Sequence, residues 1–417
     1  VGRDEPYMRY LQIKTSKLNL RNLNYLTYLI YFIIMEISFG LRKILAFCLV
    51  IALLSGCKKT DKQQTFNGKT VNFAMEKLAE QQNMLNRVDS ISFIPLNAVC
   101  EDALLKQINK CSVVDDKIYL LDYFGNASLT VWDNTGTFLY KIGHQGQGPG
   151  EYSKITDFDV ANQNIYLLDS GQRKILKYNL NGDFKDEYSY NGKLEGVNDL
   201  IVTSDGNFLL GLDVELSMDN QLILTDSEFN IKQVLLSFDE RTTRGHLNIG
   251  SLRRCATNIV YYYPISDDIY ILNATGEVKE KYEITFNKSI PKSMRNNYQE
   301  VVKQRKSNEF SYFYETPFVC GNFLLSSIFY GSKKAMLAMD LEKQTFSKVV
   351  YNKDIVLSIS HFNFPIYMDE TRIYCWLNSA AYNLFDEESK KRMGSGILKH
   401  LENGEDALVV YYLKPKK

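Results

Sequence analysis

Short apolar runs recur along this chain, and each closes on a turn built from aspartate, asparagine or glycine. The clearest lies at residues 116–122, where Ile118, Tyr119, Leu120 and Leu121 stand between Asp116 and Asp122. A polar break follows, then a second run from Leu129 to Asp133 and a turn ending at Gly136. The same order returns at 164–169 and 174–182, and weaker copies lie at 205–210, 267–271, 321–325 and 370–375. Short apolar runs, rich in β-branched and aromatic side chains and bounded by turn formers, predict strands.

Aligned on the first apolar residue of each copy, the anchors are Ile118, Ile165, Phe208, Ile269, Phe323 and Ile373, separated by 47, 43, 61, 54 and 50 residues. A repeat of this length with four short strands predicts a propeller blade. The fold class is therefore all-β: a six-bladed β-propeller of four-stranded antiparallel blades. Two long steps have visible causes. Residues 239–257 form an inserted loop, and 291–307 read as an inserted helix with Pro291 in its first turn. A ring must also close without bare strand edges. Residues 91–96 precede the first anchor and 407–413 follow the last, so the amino-terminal strand is expected to complete the carboxy-terminal sheet.

Between the first two copies lies Gly143 to Tyr152, with four glycines and Pro149. Neither helix nor central strand tolerates that composition. The phosphate-binding loop pattern requires a lysine and a following helix, which are missing, and a dinucleotide fingerprint requires a βαβ unit. The loop is expected to turn the chain between blades, with Glu151 or His144 satisfying backbone groups; a ligand-facing role for both is the alternative.

The amino-terminal end departs from the repeat. Arg42 and Lys43 precede an apolar run from Ile44 to Leu54, and Ser55, Gly56 and Cys57 follow. This order reads as a secretory signal, too short to span a bilayer. Residues 1–34 read as an over-extended start, 35–56 as the signal, 57–88 as a polar tether with a short helix near 74–87, and 89–417 as the propeller. The 49 basic and 49 acidic side chains cancel, which gives no reason for a nucleic-acid partner. Of the 7 cysteines, Cys48 falls within the signal. Cys100, Cys111, Cys255, Cys320 and Cys375 are expected to be buried inert thiols, with Cys100–Cys111 the candidate bridge.

With Ile142 to Tyr152, the flanking Trp132 to Gly136 and Ile94 to Leu96 in view, the chain resembles the six-bladed β-propeller lipoproteins of Bacteroides-type bacteria, related to NHL-repeat propellers. The segment from Leu54 to Cys57 resembles a lipobox. By that resemblance Cys57 carries lipid, and the protein is held to the bacterial outer membrane, facing the periplasm or the surface. The resemblance implies a fold and a location but no settled reaction.

Candidate chemistry is sparse. Asp122, Asp133, Asp159 and Asp169 repeat with the blades and are expected to cap turns through nearby amides. A calcium ion held by such oxygens in a central channel is the alternative, and no other cofactor is predicted. The 4 histidines, His144, His246, His361 and His400, make no zinc spacing. Arg241, Arg244, His246, Arg253 and Arg254 cluster in the inserted loop, a solvated surface or an anion or partner contact. The tyrosines fill wedges between blades or stack on sugars. The main expectation is a tethered binding or scaffold module for a protein or glycan ligand. A metal-assisted lactonase or lyase using channel carboxylates and a glycan-binding accessory of polysaccharide uptake are the alternatives.

Overall fold

The computed structural model describes residues 68–73, 87–217, 219–239, 242, 250–308, 310–331, 333–349, 363–384 and 387–414. The signal, Cys57, the helix expected near 74–87 (Arg87 apart), Arg241, Arg244, His246 and His361 lie outside them. Strand β1 (Gly68–Phe73) and strand β2 (Val88–Pro95) precede blade one along the chain. Blade one is β3 (Lys110–Val114), β4 (Lys117–Asp122), β5 (Ser128–Asp133) and β6 (Phe138–Lys141). A short parallel pair, β7 (His144–Gln145) and β8 (Glu151–Tyr152), links it to blade two, which is β9 (Asp157–Ala161), β10 (Asn164–Asp169), β11 (Lys174–Asn179) and β12 (Phe184–Ser189). Blade three is β13 (Val197–Val202), β14 (Phe208–Leu212), β15 (Asn220–Thr225) and β16 (Ile231–Ser237), with helix α1 (Val214–Ser217) in its middle. Blade four is β17 (Leu252–Cys255), β18 (Asn258–Tyr262), β19 (Asp268–Leu272) and β20 (Val278–Phe286).

Helix α2 (Tyr298–Asn308) leads to blade five, whose first position is shared by β21 (Ser311–Phe313) and β22 (Phe318–Cys320); β23 (Phe323–Tyr330), β24 (Lys333–Asp340) and β25 (Thr345–Val349) follow. Blade six is β26 (Asn363–Met368), β27 (Arg372–Leu377), then helices α3 (Glu387–Met393) and α4 (Ser395–Glu402), then β28 (Ala407–Leu413). Its fourth strand is β2, antiparallel to β28 from Val88 opposite Leu413 to Pro95 opposite Ala407. The ring thus closes as the sequence predicts, and it is a six-bladed β-propeller.

Two-residue periodicity builds the core. On β4, Tyr119 and Leu121 enter the wedge facing blade two, while Ile118 and Leu120 enter the wedge facing blade six. On β10, Ile165 and Leu167 face blade one, while Tyr166 and Leu168 face blade three. Opposite faces of one strand meet different neighbours, so the second and third strands are apolar on both sides. The outer strand β12 is mostly exposed and correspondingly polar.

Three expectations need correction. Ile269 sits on the third strand of blade four, whereas the other five anchors sit on second strands; Ile259 of β18 is the equivalent residue. The misalignment arose because residues 267–271 copy the aspartate–isoleucine–tyrosine order of a second strand, while β17 is masked by two arginines. The polar tether does not run free to residue 88. Gly68–Phe73 pairs in parallel with β20, from Gly68 opposite Lys281 to Phe73 opposite Phe286, and makes blade four five-stranded. Finally, Cys100 is exposed rather than buried, and it is not bonded to Cys111; all five cysteines are free thiols. The inserted helix is present, with Asn297 accepting from the Glu300 amide at its start.

Candidate functional site

The first strands β3, β9, β13, β17, β22 and β26 neighbour one another in turn around the axis, and β26 returns to β3. They line a central channel. Each begins on the same face, because every blade is antiparallel and each fourth strand returns the chain to where the next blade starts. The opposite face carries turns of two to five residues, such as 115–116, 162–163 and 256–257. Asp115, Asp116, Asn162, Gln163 and Ala256 take φ between 49° and 60° there, as tight hairpins require. All the long connections and helices α1 to α4 therefore gather on the other face, around the channel mouth.

The channel strands carry charge where a buried strand would be apolar. Lys110 Nζ of β3 lies 2.7 Å from Asp157 Oδ1 of β9, and Asp157 Oδ2 accepts the Leu200 amide of β13 at 2.9 Å. Two residues on, Asp159 Oδ2 accepts the Val202 amide at 2.8 Å. Asp199 of β13 repeats the device toward blade four, accepting Gly250 N at 2.7 Å and Ser251 N at 3.0 Å. Carboxylates on one first strand thus stand in for carbonyls toward the next, and they satisfy amides that a splayed ring leaves without a sheet partner.

Arg254 reaches across blade three. From β17 it forks onto Asp159, Nε to Oδ1 at 3.2 Å and Nη2 to Oδ2 at 2.7 Å, and donates to the Val202 carbonyl at 2.8 Å. Arg253 turns the other way, its guanidinium 3.7 Å above the Phe318 ring of β22. Its buried Nη1 and the buried Glu315 Oε1 lack hydrogen-bond partners, as does Asp199 Oδ2. Burial, with Asp157 adding its charge, pushes Asp199 up to about 8. Burial also raises Asp157, against the pull of Lys110. Among the described residues, no group of three or more His, Cys, Asp or Glu side chains is placed to hold a metal ion.

The structure sorts the sequence candidates. Arg253 and Arg254 are not on a solvated loop: both lie on the innermost strand of blade four. Asp159 is no turn cap, being the partner of Arg254. Asp122, Asp133 and Asp169 do cap, accepting the amides of Gly125, Thr135 and Gln172 respectively. Glu151 satisfies the glycine loop, its Oε2 accepting Gly148 N at 2.8 Å while Oε1 lies 3.1 Å from His144 Nε2. The Gly148 amide, helped by His144, holds the Glu151 carboxyl below its usual range. Tyr178 Oη donates to the Gly150 carbonyl at 2.6 Å and fastens the loop to blade two. Tyr261, Tyr262, Tyr263 and Tyr411 are buried in the wedges. Lys110, Asp157 and Asp199 were not singled out from the sequence. Their signal was present: a charge inside an apolar strand is costly to bury unless something pairs with it.

A family model described as domain of unknown function DUF4934 matches residues 69–411, and the chain belongs to that family. None of the curated proteins matches. Among solved structures, a Bacteroides fragilis protein described as exported superposes with a TM-score of 0.64 at 19% identity, covering 84% of this chain and all (100%) of its own. A member of the DUF4221 family from Bacteroides vulgatus gives 0.47 at 11% identity over 79% of this chain and 98% of its own. Virginiamycin B lyase from Staphylococcus aureus gives 0.37 at 10% identity over 69% and 80%. The first of these shares the fold; the other two are too distant to carry an argument.

Proposed function

We propose that this DUF4934 propeller is an exported, membrane-tethered binding module that engages its ligand on the long-loop face. One observation carries the reading. The helices and long connections surround the channel mouth, while the opposite face is closed by short turns. Propeller rings put their variable elements where binding happens, on loops held by a rigid scaffold. The channel carboxylates and cations fit a structural role beneath that face, since Lys110, Asp157, Asp159 and Arg254 are committed to one another and to backbone. Exposed Phe124, Leu104 and Leu216 on the same face supply apolar contact area for a protein or glycan.

Tethering follows from the sequence around Cys57, with the lipid on its sulfur. A clickable fatty acid fed to cells tags the wild-type protein, and Cys57→Ala abolishes the tag; persistent labelling removes the anchor from the proposal. The binding face is tested with a photo-reactive side chain placed at Phe124 or, on the turn face, at Asn134. In native envelopes the first yields a discrete adduct and the second does not. Adducts of equal strength at both positions would refute the assignment of the face.

A further inference from the structure

Two thiols meet where blades four and five adjoin the channel. Cys255 ends β17 and Cys320 ends β22. Both donate to one acceptor, the Met368 carbonyl of β26, at 3.5 and 3.6 Å. Sharing one acceptor brings the two thiols side by side. The register explains the meeting. Arg253 lies over Phe318, and two residues further along each strand, on the same side of the pleat, come Cys255 and Cys320. Equivalent positions on adjacent innermost strands thereby hold sulfur at one level of the ring. Both side chains are buried in one apolar cluster with Met368 and Phe318. By contrast, Cys111 lies in the cluster between blades six and one, and Cys100 is exposed.

We propose that Cys255 and Cys320 form a disulfide that ties the innermost strands of blades four and five together when the chain folds under oxidising conditions. The physiological setting rests on the export reading, but the chemistry does not. The thiolate of one cysteine attacks a sulfur of a small disulfide, forming a mixed disulfide and releasing one small thiol. The second thiolate then displaces the other half. Two protein thiols and one small disulfide become one protein disulfide and two small thiols, which carry away both protons. The bond has to form before the wedge closes. In the folded, reduced chain the neighbouring Cys255 and burial hold the Cys320 thiol well above its ordinary value, and no oxidant reaches it.

The test is oxidative refolding. The full chain, unfolded and reduced, is refolded in detergent with glutathione disulfide, denatured in iodoacetamide and mapped by mass spectrometry. Peptides carrying Cys255 and Cys320 are expected joined, two hydrogens lighter than the sum of the reduced pair, with the other cysteines alkylated. The oxidised form is expected to melt on the order of 5 °C above the same sample after reduction. Oxidant added to the already folded, reduced protein is expected to give no cross-link. Alkylation of both Cys255 and Cys320 in the refolded sample, or a bridge to Cys100 or Cys111 instead, overturns the proposal. Peptide mapping uses the wild type alone, so the test does not depend on a variant that has to fold. Export is tested separately by lipid labelling, so the two readings fail independently.

Discussion

Arg254 of blade four reaches past blade three to grip Asp159 of blade two, so that one ion pair binds three successive blades through the channel. Asp159 is almost wholly buried, whereas Arg254 keeps about a quarter of its side chain accessible, 28% against 5%. The pair therefore matters most through what breaking it leaves behind.

Replacing Arg254 with methionine leaves Asp159 buried without its cation. Urea unfolding should show a loss of about 3–5 kcal/mol. Adding Asp159→Asn to that variant removes the uncompensated charge and should recover part of the loss. If the double variant is no more stable than Arg254→Met, the pair is not the source of the effect.

Asp199 gives a pH signature. Its folded-state value, pushed up to about 8, lies above the ordinary unfolded value of about 4. Between those two values the folded chain holds a proton that the unfolded chain has released. The stability Asp199 contributes is thus complete below about pH 4 and drains away as pH rises through about 8. Melting temperature in wild type should fall from pH 5 to 9 more steeply than in Asp199→Asn, which keeps an acceptor for Gly250 and Ser251 but carries no titrating proton. Parallel curves for the two proteins would contradict the assignment.

The glycine loop distinguishes two kinds of glycine. At Gly150, φ is +73° and a Cβ would stand 2.8 Å from the Phe184 ring, so Gly150→Ala should cost about 1–2 kcal/mol from the backbone alone. At Gly146 a Cβ would meet the tip of Glu151, which can swing away. Gly146→Ala should therefore cost less, and it should speed hydrogen exchange at the Gly148 amide by freeing the carboxylate that holds it. Equal losses from the two substitutions would refute this distinction.

Much of the ring was legible because its signal is local. Ile118, Ile165, Phe208, Phe323 and Ile373 announce second strands with their own neighbours and turns, and the closing strand followed from the cost of a bare edge. The channel was not legible in the same way. Lys110, Asp157, Asp199 and Arg254 come from four blades, and the ion pair of Arg254 with Asp159 spans 95 residues. Nothing in spacing announces such a contact. What could be seen was the anomaly of Asp157 and Asp159 at alternate positions in an apolar strand. The paired arginines misled in the opposite sense, since Arg253 and Arg254 look like loop residues until Asp159 and Phe318 are placed beside them.

Ring closure through β2 has a measurable consequence. Removing residues before Leu96 exposes the whole edge of β28 and unroofs the cluster that includes Ile94. Such a truncation should lose its cooperative calorimetric transition and self-associate in size-exclusion chromatography. A monomer that melts like wild type would show that blade six stands without its fourth strand.

The same closure also sets an order of events. Ser92 and Tyr412 meet across it although 320 residues separate them along the chain. Strand β2 leaves the ribosome before any strand of blade one, yet it has no partner until β28 has been made. Long-range pairing of this kind is slow. The ring therefore stays open until its final strand arrives, and only then does the circle lock.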